Sequence, residues 1–454
     1  MDKKQQRKMD QALLNRIVSV ITVAHSGAAS IDERRAEVAL FDELRNSTQI
    51  QSVIQVAVAL TTGSGLAVTT SEYVSSQLTL MGYGVLQHVA GNRWEELSAQ
   101  DRDSMVGLCF SLLEGLCSPG GAGGAVGTEQ SQPQQQLQLQ NSALKFALRS
   151  KCAVLFAVVI KRHGAAYASE SVKRLIADEA KYASVLHAKS TYQAIVSLVF
   201  RYLVDEVYQF AGDMGGAHAR DMLVCMATWF PEILRFTVNA LEANYKVYSS
   251  GEGHDAQDRK NAMFAVKTAL ESGALYGEVA PAGAMYASDF IKAAGYFLSL
   301  PAAGDPNNNG IAGSSQQDIA DLKSSSCEIL KNVGSRRKTS DENDDDFSRG
   351  MQEVGMFLTR VSGELLKNNP EERLSFEGDD EDFGLEVVDA MVELGKTHLQ
   401  DALPDETTRF AFLEQMLAFA KHSYIPLASR ALGLWHKLLQ ESAATASSGG
   451  TVGV

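Results

Sequence analysis

At 454 residues, with 45% hydrophobic and 21% charged side chains, the chain has the make-up of a folded protein and room for several compact domains or one long array. Its formal net charge of −14 excludes a role that consists mainly of coating nucleic acid, although a local basic groove stays compatible with it. The five cysteines (Cys109, Cys117, Cys152, Cys225, Cys327) are scattered and show no metal-ligand spacing, which predicts buried, reduced thiols in a cytosolic or nuclear protein.

The opening residues, MDKKQQRKMDQALLNRIV, hold no long apolar core and no small-residue cleavage site, so no signal peptide is expected. No stretch reaches the roughly 20 apolar residues that a membrane span needs, and a soluble chain is expected. Helical periodicity then begins. Residues 11–25 and 30–47 read as an antiparallel pair, the second helix opening on Ser30 with Glu33 three residues on, the spacing of a capping box. Residues 48–61 and 71–91 form the next pair, with Val74, Leu78, Met81, Val85 and Val89 on one stripe. Ser98 followed by Asp101 predicts a capped start for 98–117, which pairs with 142–163 across an insertion. Further pairs fit at 170–185 with 188–210 and at 218–247 with 257–275. The region 284–335 is less regular. Helices at 348–368 and 385–400 follow, and 406–421 with 424–441 close the series.

With the insertion removed, the pairs recur about every 40–47 residues, the period of HEAT repeats. The expected fold is all-α: a HEAT-repeat solenoid, an armadillo-like α-α superhelix with the second helix of each pair on the concave side. Its expected parts are N-terminal pairs over 1–117, a disordered low-complexity insertion over 118–140 (SPGGAGGAVGTEQSQPQQQLQLQ), and a second HEAT region over 141–300. An irregular region with loops and a charged linker covers 301–347, further helices 348–441 and a disordered tail 442–454. The charge runs SRRKTSDENDDDFS (335–348) and EGDDED (377–382) read as solvated loops.

Enzyme signatures are missing: there is no GxxxxGK[ST] loop, HExxH, GxSxG or paired CxxC, so neither catalysis nor a cofactor is expected. His88, His163, His218 and His422 read as surface or cap residues. Residues 130–169 carry Lys145, Arg149, Lys151, Lys161 and Arg162 with no acid, a candidate contact for RNA or an acidic partner. On a helical wheel only Lys145 and Arg149 share a face. Trp94 and Trp435 read as packing between neighbouring repeats. Thr339 and Ser340, between bases and acids, are candidate phosphorylation sites.

Three stretches carry a family likeness. LQHVAGNRWEELSAQDR (86–102) resembles the junction between the second and third repeats of the exportin-5/HASTY family of nuclear export receptors. SKCAVLFAVVIKRHG (150–164) resembles the start of that family's exportin-1/importin-β-like region, and FLEQMLAFAKHSYIPLASRALGLWHKLLQE (412–441) one of its later repeats. The chain departs from the pattern after Arg162, where HGAAYAS replaces a Trp/Pro-rich turn, and family members are longer, so the resemblance is to their N-terminal portion. The resemblance implies a receptor of the importin-β-like, karyopherin kind that shuttles between nucleus and cytoplasm. Its N-terminal repeats, about 11–163, would bind Ran-GTP, with Glu37, Gln77 and Lys145 as candidate contacts. Double-stranded RNA such as a microRNA precursor, or protein cargo, would be carried past nuclear pore proteins by a monomer with no membrane attachment. The basic residues of 130–169 are the candidate RNA contacts. The alternative is a HEAT-repeat protein-interaction scaffold unrelated to Ran.

Overall fold

The computed structural model describes residues 3–26, 28–64, 71–118, 133–210, 212, 214–250, 254–301, 315–339, 342–370 and 379–447. Among them are seventeen α-helices, two short 3₁₀ turns and no strand. The chain divides into two compact units, Met1–Cys225 and Met226–Val454, and each is a stack of antiparallel helix pairs of the HEAT/armadillo class.

The first unit holds α1 (Lys3–Ala24), α2 (Ile31–Asn46), α3 (Ile50–Thr62), α4 (Glu72–Asn92), α5 (Ala99–Cys117), α6 (Pro133–His163), α7 (Ala165–Asp178) and α8 (Leu186–Tyr208). Capping chemistry sets two of the starts. The Ser30 hydroxyl accepts the Glu33 N–H at 3.3 Å while the Glu33 carboxylate accepts the Ser30 N–H at 2.7 Å, and Ser98 and Asp101 make the same reciprocal pair. Helices α2, α4, α6 and α8 pack side by side as one layer. α8 packs on α6, α5 and the 3₁₀ turn at Glu179–Tyr182 and is buried from Ser190 to Phe200 without interruption, whereas α2 at the layer's edge buries only Leu40 and Leu44.

α9 (Gly216–Ser249) crosses the division between the units. The second unit continues with α10 (Ala256–Val279), α11 (Ala282–Ala287), α12 (Phe290–Leu298), α13 (Gln316–Ser335), α14 (Asp344–Asn368), α15 (Asp379–Ala402), α16 (Glu406–Lys421) and α17 (Ile425–Ser447). Here α10, α13, α15 and α17 form one layer and α12, α14 and α16 the other. The region read as less regular contains a genuine pair. Its first helix is split into α11 and α12 because Asp289 takes a left-handed conformation, φ 59°, that no continuous helix accepts. Close approach does the rest: a Cβ on Gly295 would stand 2.4 Å from the Phe357 ring.

Four further expectations change. α6 starts at Pro133, inside the tract read as a loop, because proline suits the first helical turn and glutamine is a good helix former. α17 runs to Ser447, beyond the start of the expected tail, and α15 begins at Asp379, inside the acidic run read as a loop. The linker at 335–348 is not wholly solvated: the Arg336–Glu342 pair is buried at 2.7 Å, with 9% and 6% of the side chains exposed. The insertion core 119–132 and the loop 302–314 lie outside the described residues, as do 377–378 and 448–454.

Candidate interaction surfaces

Every α-helix leaves its last carbonyls without intrahelical donors, and stacked helices bring one such end beside the next. Cationic residues close these ends in this chain. At the end of α4, Arg93 donates to the Ser47 carbonyl at 2.7 Å and, more loosely, to that of Arg45, the end of α2, while Glu96 holds its guanidinium at 2.6 Å. Arg162 at the end of α6 donates to the Gly91 carbonyl of α4. Arg336 after α13 donates to the Ala280 carbonyl after α10, and His398 in α15 meets the Arg336 carbonyl at 2.6 Å. The aromatic-basic junction at 93–94 therefore joins two repeats. Trp94 is buried beneath it, with the Arg102 guanidinium 5.7 Å from its ring and His163 edge-on at 5.8 Å.

This bracing takes up two of the five cations of the acid-free basic segment. Lys161 is 1% exposed, its ammonium 2.6 Å from the Glu206 carboxylate and 3.0 Å from the Phe210 carbonyl. Arg162 is turned inward onto Gly91, as described. Arg149 is partly buried beside Cys117, and burial holds its guanidinium below the usual range. Lys145 is partly buried, and Lys151 alone of the five is classed as exposed. The five cations thus form no common face for RNA, and Lys161 in particular is withdrawn from solvent.

Of the other candidate contacts, Gln77 is partly buried and Glu37 is committed internally. Its carboxylate meets His25 Nε2 at 3.1 Å, and the other His25 nitrogen lies 3.5 Å from the Tyr73 hydroxyl. Thr339 donates its N–H and hydroxyl to Glu342 at 2.9 and 3.2 Å, and Ser340 lies outside the described residues. The histidines read as surface residues also join elements. His88 accepts the Arg45 Nε–H at 3.1 Å, and burial, then the charges of Arg45 and Arg93, keep its imidazole below its ordinary range. His422 is buried, and His163 meets Asp103 at 3.0 Å. Four of the five cysteines are buried, and burial pushes the Cys117 and Cys152 thiols up to about 12.

What remains open to a partner lies elsewhere. On α2, Ile31 (71% exposed), Arg35, Val38 (62%) and Asp42 follow one helical face, an apolar-and-charged strip on the edge helix. In the second unit, α9 and α12 frame a groove of about 670 Å³, floored by Tyr245, Tyr296 and Phe297 and rimmed by Glu242, Lys246, Asp289 and Lys292. The Tyr245 ring meets Tyr296 and Phe297 edge-on at 5.7 and 4.9 Å. Sequence reading missed both surfaces. An Ile and a Val seven residues apart look like any buried stripe, and the groove joins residues some fifty apart. Among the described residues no helix is long and apolar enough to cross a membrane, and no group of three or more metal-ligating side chains occurs. The surfaces offer ring, apolar and charged contacts, the chemistry of binding.

No family model matches the chain. It is 25% identical over 424 residues to Protein HASTY 1 of Arabidopsis thaliana, a similarity that takes in 92% of this chain and 31% of the relative. The chain thus spans about a third of that relative's length. The nearly end-to-end alignment, together with the all-helical stack of pairs, supports assignment of the chain to the exportin-5/HASTY family.

Proposed function

We propose that the chain is a nuclear export receptor of the exportin-5/HASTY type, binding Ran in its GTP form and carrying structured double-stranded RNA or protein cargo between nucleus and cytoplasm. The observation that carries this reading is the similarity to Protein HASTY 1 along 92% of the chain. The stacked pairs support it physically, because a solenoid presents long surfaces on which two ligands can favour the same curvature and so raise each other's affinity.

In this reading the Ran contact lies in the first three pairs. The α2 strip of Ile31, Arg35 and Val38 is its best exposed part, with Gln77 and Lys145 at the margin and Glu37 bracing the strip from behind through His25. RNA contact rests on few cations, since Lys161 and Arg162 serve the helix ends. The chain therefore adds only a shallow phosphate term to RNA binding, by shape and backbone with no sequence preference. The aromatic groove of the second unit is the surface offered to apolar segments such as those of pore proteins.

The test is capture of the full chain on immobilised Ran loaded with a non-hydrolysable GTP analogue or with GDP. Retention on the GTP form alone is the expected result, with Val38→Asp weakening it. Equal retention on both forms, or on neither, overturns the reading in favour of a scaffold that never meets Ran.

A further inference from the structure

Glu342 is the centre of a latch within the second unit. Its carboxylate accepts the Arg336 guanidinium twice, at 3.0 and 2.7 Å, the Ala282 N–H that opens α11 at 2.7 Å, and the Thr339 N–H at 2.9 Å. Arg336 in turn donates to the Ala280 carbonyl after α10, and its own carbonyl meets His398 of α15. The segment between α13 and α14 is thereby tied to the α10–α11 turn and to α15, with the Arg336 and Glu342 side chains almost out of solvent. A pair this buried is stable only while each charge keeps its partner.

Thr339 stands at the open edge of the latch. It is exposed, yet its hydroxyl donates to the same Glu342 carboxylate at 3.2 Å. A hydroxyl that is both accessible and bonded to a buried ion pair is where a covalently added charge has most leverage. Arg336, Arg337 and Lys338 precede it, so arginines stand three and two positions before the acceptor. Charge patterns of this kind are what kinases use to choose among substrates. Arg337 and Lys338 are exposed in the closed latch, whereas the Arg336 side chain is not. Recognition of Arg336 by a kinase and its pairing with Glu342 exclude each other, so the enzyme acts on a chain whose latch has opened.

We propose that Thr339 is a phosphorylation site whose phosphate holds the Arg336–Glu342 latch open. In the transfer Thr339 Oγ1 attacks the γ-phosphorus of a nucleoside triphosphate. The new O–P bond forms as the bond to the β-phosphate oxygen breaks, the hydroxyl proton passes to the kinase's base, and a nucleoside diphosphate leaves. The product has lost its O–H donor to Glu342 and gained about 1.5–2 negative charges. Arg336 then faces two anionic groups in place of one, and the acids Asp344, Asp345 and Asp346 of the first turn of α14 add to the repulsion. This switch is independent of what the chain carries.

The test uses the full chain with Ser340→Ala, which removes the neighbouring serine. It is treated with ATP and the catalytic subunit of cyclic-AMP-dependent protein kinase, a kinase that selects arginines two and three residues before its acceptor. Peptide mass spectrometry locates the phosphate, and hydrogen exchange is followed before and after. The expected result is phosphate on Thr339 and a rise of about 5–30-fold in the exchange rate over 280–287, reversed by a phosphatase. The same chain with Thr339→Val, treated identically, should show no rise. Absence of phosphate from Thr339 in the folded chain overturns the proposal. So does phosphate on Thr339 with exchange over 280–287 unchanged, or a rise that persists in the Thr339→Val chain.

Discussion

Lys161→Met separates a structural charge from an RNA-binding one. The lysine ammonium sits 2.6 Å from Glu206 and 3.0 Å from the Phe210 carbonyl, at 1% exposure, so it ties the end of α6 to the end of α8. Methionine keeps most of the stem's volume but leaves a carboxylate and a carbonyl without their donor. Breaking a fully buried pair costs about 3–5 kcal/mol, and because Glu206 keeps 19% exposure and some hydration we expect about 3 kcal/mol. Hydrogen exchange of the full chain reads this as a loss of opening free energy confined to α6 and α8. Adding Glu206→Leu should restore a good part of it, since the orphaned carboxylate is then removed. Lys151→Met on the exposed side should stay within about 0.5 kcal/mol of the parent. A Lys161→Met loss below about 1 kcal/mol, or a fall in RNA affinity without loss of stability, would refute the argument that this charge is structural.

Thr339→Glu places a second carboxylate beside Glu342, already held by Arg336, and should lower the stability of the second unit by about 1–2 kcal/mol in a urea titration; an unchanged midpoint would contradict the contact. Gly295→Ala drives a methyl to 2.4 Å from the Phe357 ring and should cost about 1–3 kcal/mol, read as a lowered melting temperature, and no shift would mean that the α12–α14 contact is looser than described. Burial raises the Glu386 carboxyl above its ordinary range, the neighbouring Asp382 and Glu328 add to this, and Ser324 and Lys331 oppose it. The folded state therefore binds the proton more tightly than the unfolded one, and this contribution falls as pH rises from the ordinary carboxylate range through the raised value. Glu386→Gln should flatten that part of the stability profile, and an unaltered slope would count against it.

Helix pairing was legible where local chemistry is strong. Ser30 with Glu33 and Ser98 with Asp101 marked helix starts that the structure closes with reciprocal bonds. The split of α11 from α12 was not legible, because a left-handed Asp289 has no periodic signature. The basic segment misled for a related reason. Composition counts Lys161 and Arg162 as cations, but whether a cation meets solvent or a neighbouring helix end depends on residues such as Gly91 and Glu206, tens of positions away. The arginines stand at the ends of α4, α6 and α13, but their carbonyl acceptors lie at the end of the preceding layer helix, so only the stacked structure reveals their common task. Exposure itself was equally hidden: nothing local distinguishes Ile31 and Val38, which face water, from Leu40 and Leu44, which do not.

The central proposal is that Ran-GTP and cargo bind the same chain and are coupled through its stacked helix pairs. The direct measurement is the affinity of a short RNA hairpin for the full chain at several salt concentrations, alone and saturated with Ran-GTP, together with the reciprocal titration of Ran-GTP at saturating RNA. The account predicts weak, salt-shallow RNA binding alone, a tighter constant with Ran-GTP, and the same factor of enhancement in both directions, as linkage requires. Tight RNA binding without Ran, or an RNA affinity indifferent to Ran-GTP, would contradict it.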